Sequence, residues 1–184
     1  MVLSRTKTGN SGKDKNAGLA GGRMSRAQRR RCVAKVAKVA KVASSRTTLT
    51  SDNYDTVSAN SALREKITTI GVFDKHFTPP VSITSIMYPN IQSISAGAFY
   101  EFQGKLSVSG DYHSLVTVGE YAFYAAGNTD STISFTGLPL LKAIEKQAFD
   151  KFKGKIEITG DYHSLETVGE YAFYAAGNTD STIS

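Results

Sequence analysis

Residues 110–134, GDYHSLVTVGEYAFYAAGNTDSTIS, return at residues 160–184 as GDYHSLETVGEYAFYAAGNTDSTIS. The copies agree at 24 of 25 positions, with Val116 against Glu166, across an offset of 50 residues. So faithful a duplication marks a repeat array, and its period has to be found before any element is assigned. Aligning the apolar anchors yields IQSISAGAF at 91–99, LVTVGEYAF at 115–123, LKAIEKQAF at 141–149 and LETVGEYAF at 165–173. The steps are 24, 26 and 24 residues, and 24 plus 26 restores the offset of 50. Each unit has an aliphatic residue, a second one three positions later, and then Ala-Phe. Ile67, Ile70 and Gly71 lie 24 residues ahead of Ile91, Ile94 and Ser95, with His76-Phe77 two positions late. Residues 67–80 therefore read as a degenerate first unit, the atypical end that repeat arrays need.

Ahead of each anchor runs a short alternation: Leu106-Ser107-Val108-Ser109, Ile133-Ser134-Phe135-Thr136, Ile156-Glu157-Ile158-Thr159 and Thr182-Ile183-Ser184, with residues 81–86 as the first. Alternation closed by Gly110, Gly137 or Gly160 marks a half-buried strand ending in a turn. One strand per turn is too sparse for hairpins. It predicts an α/β solenoid of ~24–26-residue turns, each giving one short parallel strand to a sheet between neighbours.

The Ala-Phe pair has a packing reason. Phe99, Phe123, Phe149 and Phe173 form a ladder through the core, beside Ala98, Ala122, Ala148 and Ala172. Three residues after each Phe stand Phe102, Ala126, Phe152 and Ala176, so large and small alternate from turn to turn. A ring on one turn then fills the space its neighbour leaves, which explains a period of two turns.

The succession of strand, turn and aliphatic-x-x-Val/Ile-Gly-x-x-Ala-Phe, as in residues 118–123 and 168–173, resembles the leucine-rich repeats of the bacterial and protist surface-antigen type, called BspA-like. The resemblance covers about residues 81–184 and, more weakly, the chain from Ile67. Where that family usually carries Cys three residues after the Phe, this chain has Phe or Ala. The family's Ile-Pro turn after the strand is replaced by Ser-Gly-Asp or Thr-Gly-Asp. The resemblance implies a curved, leucine-rich-repeat solenoid with a binding role, often at cell surfaces.

Charge divides the chain. Residues 1–46 hold 13 Lys or Arg and one acid, Asp14, for +12. Residues 47–184 hold 9 bases and 15 acids, for −6, and the two sum to +6. Such asymmetry indicates a basic tail on a mildly acidic body. Residues 1–22 are rich in Gly, Ser, Asn and Lys, with too little to bury to offset ordering entropy. In residues 24–43 the run Arg29, Arg30, Arg31 is followed by Lys35, Lys38 and Lys41 in Val-Ala-Lys steps. On a helix these lysines spread over only ~120°, which predicts a basic amphipathic helix that forms when something holds it. Such an arm is a solvated tail, a nucleic-acid or nuclear-targeting segment, an anionic-membrane segment or an organelle transit peptide. Residues 47–66, dominated by Ser, Thr and Asn, read as a polar linker, with the repeat domain over 67–184.

The lone Cys32 excludes an intrachain disulfide. No apolar run reaches the ~20 residues of a membrane span, and no secretory apolar core of ~7–15 residues lies near Met1. The expected location is intracellular. The chain halts inside a strand at Ser184, which suggests either a fragment of a longer array or an edge covered by a partner.

Asp111, His113 and Ser114, repeated as Asp161, His163 and Ser164, are catalytic residue types, but so close together in a turn they cannot form a Ser–His–carboxylate relay. Two such His–Asp pairs lie two turns, ~10 Å, apart, too far for one metal ion. Asn128-Thr129-Asp130-Ser131 has one acid and the wrong spacing for calcium. No enzyme, metal or cofactor is expected. The outward positions Ser107, Ser109, Thr132, Ser134, Thr136, Glu157 and Thr159 are small and polar, without hot-spot anchors. The candidate partner-binding residues are instead Tyr112, Tyr121, Tyr124, Tyr162, Tyr171 and Tyr174 around the turns. The expected function is a non-enzymatic protein-binding or scaffolding module. The alternative is nucleic-acid or anionic-membrane association through the arm.

Overall fold

A computed structural model of the protein describes residues 47–184. The basic arm, including Arg29 to Arg31, Lys35, Lys38 and Lys41, lies outside the described residues. From Thr48 the chain winds as a parallel solenoid with turns of ~25 residues, and each full turn lays down two strands rather than one. The longer strands are the alternating runs: β3 (Val81–Thr84), β5 (Leu106–Asp111), β7 (Thr132–Gly137), β9 (Lys155–Ile158) and β11 (Thr182–Ile183). They form one sheet in the order β11-β9-β7-β5-β3, with Ile83 beside Val108 and Ile133 beside Ile156. The second sheet is built from the anchors themselves: β2 (Thr69–Ile70), β4 (Ser93–Ile94), β6 (Thr117–Val118), β8 (Ala143–Ile144) and β10 (Thr167–Val168). Two residues are too few for period-two alternation to show in a sequence, so this ladder was legible only as conserved spacing of apolar residues.

A correction concerns residues 47–66. They contribute β1 (Thr48–Leu49), which pairs parallel with β2, and the short helices α1 (Tyr54–Ser58) and α2 (Ser61–Arg64). Leu49, Tyr54, Val57 and Leu63 are buried in the common core. The Ser/Thr/Asn content that suggested a linker is turn chemistry. Asn53 Oδ1 accepts from Thr50 N and its Nδ2 donates to Thr48 O, both at 2.9 Å, and Asn60 caps α2 by accepting from Leu63 N. The Tyr54 hydroxyl accepts from Ser82 N at 2.7 Å and donates to Ser82 O at 3.1 Å, satisfying polar groups of the edge strand β3.

The phenylalanine ladder runs through the core as expected and is one ring longer. Phe99, Phe123, Phe149 and Phe173 stack in sequence at 5.4, 5.1 and 5.1 Å between centroids, within 11° of parallel. The added ring is Phe73, stacked on Phe99 at 4.8 Å. Phe77, placed near this position by sequence phase, instead meets Phe73 edge-on at 6.0 Å. The Phe102/Ala126/Phe152 alternation is buried throughout, with the Phe152 ring edge-on to Phe123 at 6.4 Å.

Around each Phe the backbone takes the left-handed conformation twice. Gly97, Tyr121, Gln147 and Tyr171 precede it by two residues, and Glu101, Ala125, Lys151 and Ala175 follow by two, with φ between 49° and 63°. This geometry aims alternate amides at the next turn: Tyr121 N, Phe123 N and Ala125 N donate to the carbonyls of Lys146, Ala148 and Asp150. A left-handed non-glycine residue costs ~1–2 kcal/mol, and glycine's extra freedom in the unfolded chain returns ~0.5–1 kcal/mol of that gain. Half-exposed Ala125→Gly is therefore expected to stabilise the domain by a few tenths to about 1 kcal/mol, raising the melting temperature by about 1–4 °C. An unchanged or lower midpoint in a calorimetric scan would show that the turn-to-turn amide bonds already absorb this strain.

Candidate functional site

Because Tyr121 and Tyr171 sit at left-handed corners and Tyr100, Tyr124 and Tyr174 directly follow the ladder rings, their side chains gather on one corner of the solenoid. Tyr100 and Tyr124 stack at 5.2 Å and 9°. Tyr121 stands edge-on to both, at 6.3 and 5.7 Å. Lys151, from the next turn, holds its ammonium 5.3 Å over the Tyr124 ring and donates to the Tyr124 hydroxyl at 3.2 Å. That hydrogen bond raises the lysine pKa, and the neighbouring Glu101 charge raises that of Tyr100. Farther along, Tyr171 and Tyr174 meet edge-on at 5.8 Å, both more than half exposed. Between Tyr124 and Tyr174 the corresponding position is Asp150, a buried carboxylate that accepts from Gln147 Nε2 at 2.7 Å through Oδ2, while Oδ1 has no partner among the described residues. Two exposed ion pairs flank the ridge, Lys75 with Glu101 at 3.7 Å and Lys146 with Glu170 at 3.5 Å. Exposed pairs of this kind add little stability.

Four of the six candidate tyrosines, Tyr121, Tyr124, Tyr171 and Tyr174, therefore lie on this ridge. Tyr112 does not. It is 1% exposed, packs edge-on to Phe135 at 5.7 Å and donates to Ile83 O at 2.9 Å. Burial pushes its phenol pKa well up, and its place is in the core. The ring can turn inward because the Ile83 carbonyl on the preceding turn satisfies its hydroxyl. Tyr162 is half-buried against the core at the last turn, away from the ridge. Lys151 and Tyr100, neither singled out from the sequence, also stand on this ridge, and Tyr100 is the one its spacing could have shown. It lies outside the duplicated stretch, though Phe99-Tyr100 is in phase with Phe123-Tyr124.

The Asp–His turns are exposed. His113 Nε2 lies 3.2 Å from Asp111 Oδ2, and His163 Nδ1 lies 2.6 Å from Asp161 Oδ1. Asp161 also accepts from the His163 backbone amide at 3.2 Å, and the His163 ring holds its carboxyl below the usual range. Among the described residues no hydrogen bond joins Ser114 or Ser164 to either imidazole, and no group of three or more His, Cys, Asp and Glu is placed to hold a metal. No helix among them is long and apolar enough to cross a membrane.

Searches of curated proteins and of solved structures returned no match. The family described as BspA type Leucine rich repeat region matches in six copies over residues 68–184, well over half of the chain. The two-turn period, the phenylalanine ladder and the paired parallel sheets are thus those of a repeat-based binding or scaffold module, and the chain belongs to the BspA type leucine-rich repeat family.

Proposed function

We propose that the protein is a non-enzymatic protein-binding module whose contact surface is the ridge of Tyr100, Tyr121, Tyr124, Tyr171 and Tyr174, with Lys151. The observation that carries this reading is the stacked Tyr100–Tyr124 pair clasped by Lys151. Tyrosine has two side-chain torsions, and these are already constrained by stacking, so a partner meets anchors whose ordering cost is largely met before binding. Aromatic residues in this state are the usual hot spots of protein interfaces. The outward face of the longer sheet is poor by comparison, carrying Ser107, Ser109, Ser134 and a Lys155–Glu157 pair.

The double variant Tyr100→Ala, Tyr124→Ala tests this. Both side chains are partly exposed, so the fold should persist while affinity for a captured partner falls by about 2–4 kcal/mol, or roughly 30- to 1,000-fold. The competing reading places binding in the basic arm, and salt and deletion separate the two. Arm-mediated contact with nucleic acid or anionic lipid weakens steeply with ionic strength and vanishes when residues 1–46 are removed. Ridge-mediated contact survives both. Capture that is untouched by the tyrosine variant but abolished by the deletion would transfer the function to the arm.

A further inference from the structure

The two-turn period alternates large and small side chains on the outside of the solenoid as well as in its core. Just past the ladder, Glu101, Gln103 and Lys105 point outward on one turn, while Phe102 and Leu106 are buried. Two turns on, Lys151, Lys153 and Lys155 do the same around buried Phe152 and Ile156. The turn between them offers only Ala125 and Gly127 at the matching places. It is held in line by Gly127 N, which donates to Phe102 O at 2.7 Å, and by Lys153 N, which donates to Ala126 O at 3.1 Å. Two rows of longer side chains, two strand spacings or ~10 Å apart, thus bound a trough floored by one methyl group and bare backbone. Its head is the stacked Tyr100–Tyr124 pair.

The walls are basic, although residues 47–184 carry a net charge of −6. Among the described residues Lys105, Lys151 and Lys153 form no ion pair, whereas Lys75, Lys146 and Lys155 are matched by Glu101, Glu170 and Glu157. Asp150 is buried beneath, and the exposed Asp130 at the foot of the trough is a single carboxylate against three free ammonium groups. Two of these ammonium groups already donate to neutral oxygens. Lys153 Nζ crosses the floor to Gln103 Oε1 at 3.1 Å, and Lys151 Nζ reaches the Tyr124 hydroxyl at 3.2 Å. A carboxylate lying in the trough would replace that amide oxygen and meet the N–H groups that Lys151 has left to give. Hydrogen bonds to a charged acceptor are shorter and about twice as strong. Resting on the ridge as the contact surface, we infer that the protein partner presents an acidic segment, with Asp or Glu side chains laid along the Ala125–Gly127 trough against Lys105, Lys151 and Lys153. Single-stranded nucleic acid fits less well, because its bases need open ring faces. Both faces of Tyr124 are covered, by Tyr100 at 5.2 Å and by the Lys151 ammonium at 5.3 Å. Added salt screens the lysine share of the contact and leaves the aromatic share.

Amide chemical shifts of the isotope-labelled 184-residue chain, titrated with a peptide alternating glutamate and alanine, test the inference. The amides of Ala125 and Gly127 are expected to move with peptide concentration, whatever the basic arm does at its own residues. Lys105→Glu with Lys153→Glu should weaken that response roughly tenfold or more, by turning two attractions into repulsions. Both side chains are exposed, so circular dichroism should not change. Lys66→Glu with Lys142→Glu makes the same change in net charge at exposed positions ahead of β2 and β8, and should leave the response intact. Still amides at Ala125 and Gly127, or an equal loss in the two charge variants, would overturn the inference. So would an equal response to a peptide alternating lysine and alanine, or to oligothymidylate. If Tyr100→Ala, Tyr124→Ala abolishes partner capture while the glutamate peptide moves neither amide, this inference falls alone. The converse sinks the ridge and leaves the trough supported.

Discussion

Phe123→Ala is expected to destabilise the domain by about 3–5 kcal/mol, a large part of the roughly 5–15 kcal/mol that holds an ordinary domain together. The ring is 0% exposed and sits between Phe99 at 5.4 Å and Phe149 at 5.1 Å, with Phe152 edge-on at 6.4 Å. Its loss leaves a cavity that cannot close, because turn-to-turn bonds such as Phe99 N to Ala122 O and Phe123 N to Ala148 O set the spacing of the flanking rings. In a stack where each turn touches only its neighbours, a weakened central interface also threatens to divide the array. Urea denaturation should show a lower midpoint, and a reduced slope if the two halves uncouple. Phe173→Ala, at the end of the ladder with one ring neighbour at 5.1 Å, is expected to cost clearly less. Equal losses at the two positions would sink the ladder as the organising interaction.

Gly119→Ala should cost about 1–3 kcal/mol or more through overpacking alone. A Cβ there would lie 2.5 Å from Ala96 N, 2.7 Å from Ser95 C and 2.9 Å from Ala96 Cα, all of them backbone atoms of the preceding turn. Backbone held in a parallel ladder cannot rotate away, so the turns must separate locally. Gly71→Ala offers the control, since its nearest atoms are the side-chain methyls of Thr48 and Thr50, which can shift. The glycines at this position stand at Gly71, Gly119 and Gly169 and alternate with Ser95 and Glu145, a second feature that repeats every two turns. A melting temperature for Gly119→Ala no lower than that of Gly71→Ala would remove close backbone approach as the reason for this glycine.

Much of the fold is legible in the sequence. The period of 24 and 26 residues, the Ala-Phe ladder and the Phe102/Ala126/Phe152 alternation all follow from residue size repeated at fixed spacing. Size complementarity between neighbouring turns leaves a mark at every copy. The helical end was not legible, because Leu49, Tyr54, Val57 and Leu63 occur once, in a polar setting where no repeat makes them stand out. Two-residue strands such as Thr117–Val118 carry no alternation of their own. For the candidate site, four of the six tyrosines that the sequence singled out lie on the exposed ridge, but aromatic composition could not tell Tyr124 from Tyr112.

By itself the sequence determined that residues stack in pairs of turns, which rings form the ladder, and where glycine or alanine must admit a neighbour. Those properties belong to side-chain volume and local backbone, and each turn carries them wherever it sits. Only the tertiary structure decided which tyrosine became core and which became surface, and which copy of the duplicated turn was covered. Tyr112 is buried because Ile83 O and Phe135, 29 and 23 residues away, meet its hydroxyl and its ring. Val118 and Val168 share one local sequence yet are 1% and 53% exposed, because residues 135–159 lie over the first and not the second. In a solenoid, burial is conferred by the adjacent turn, so identical segments take different roles according to their neighbours.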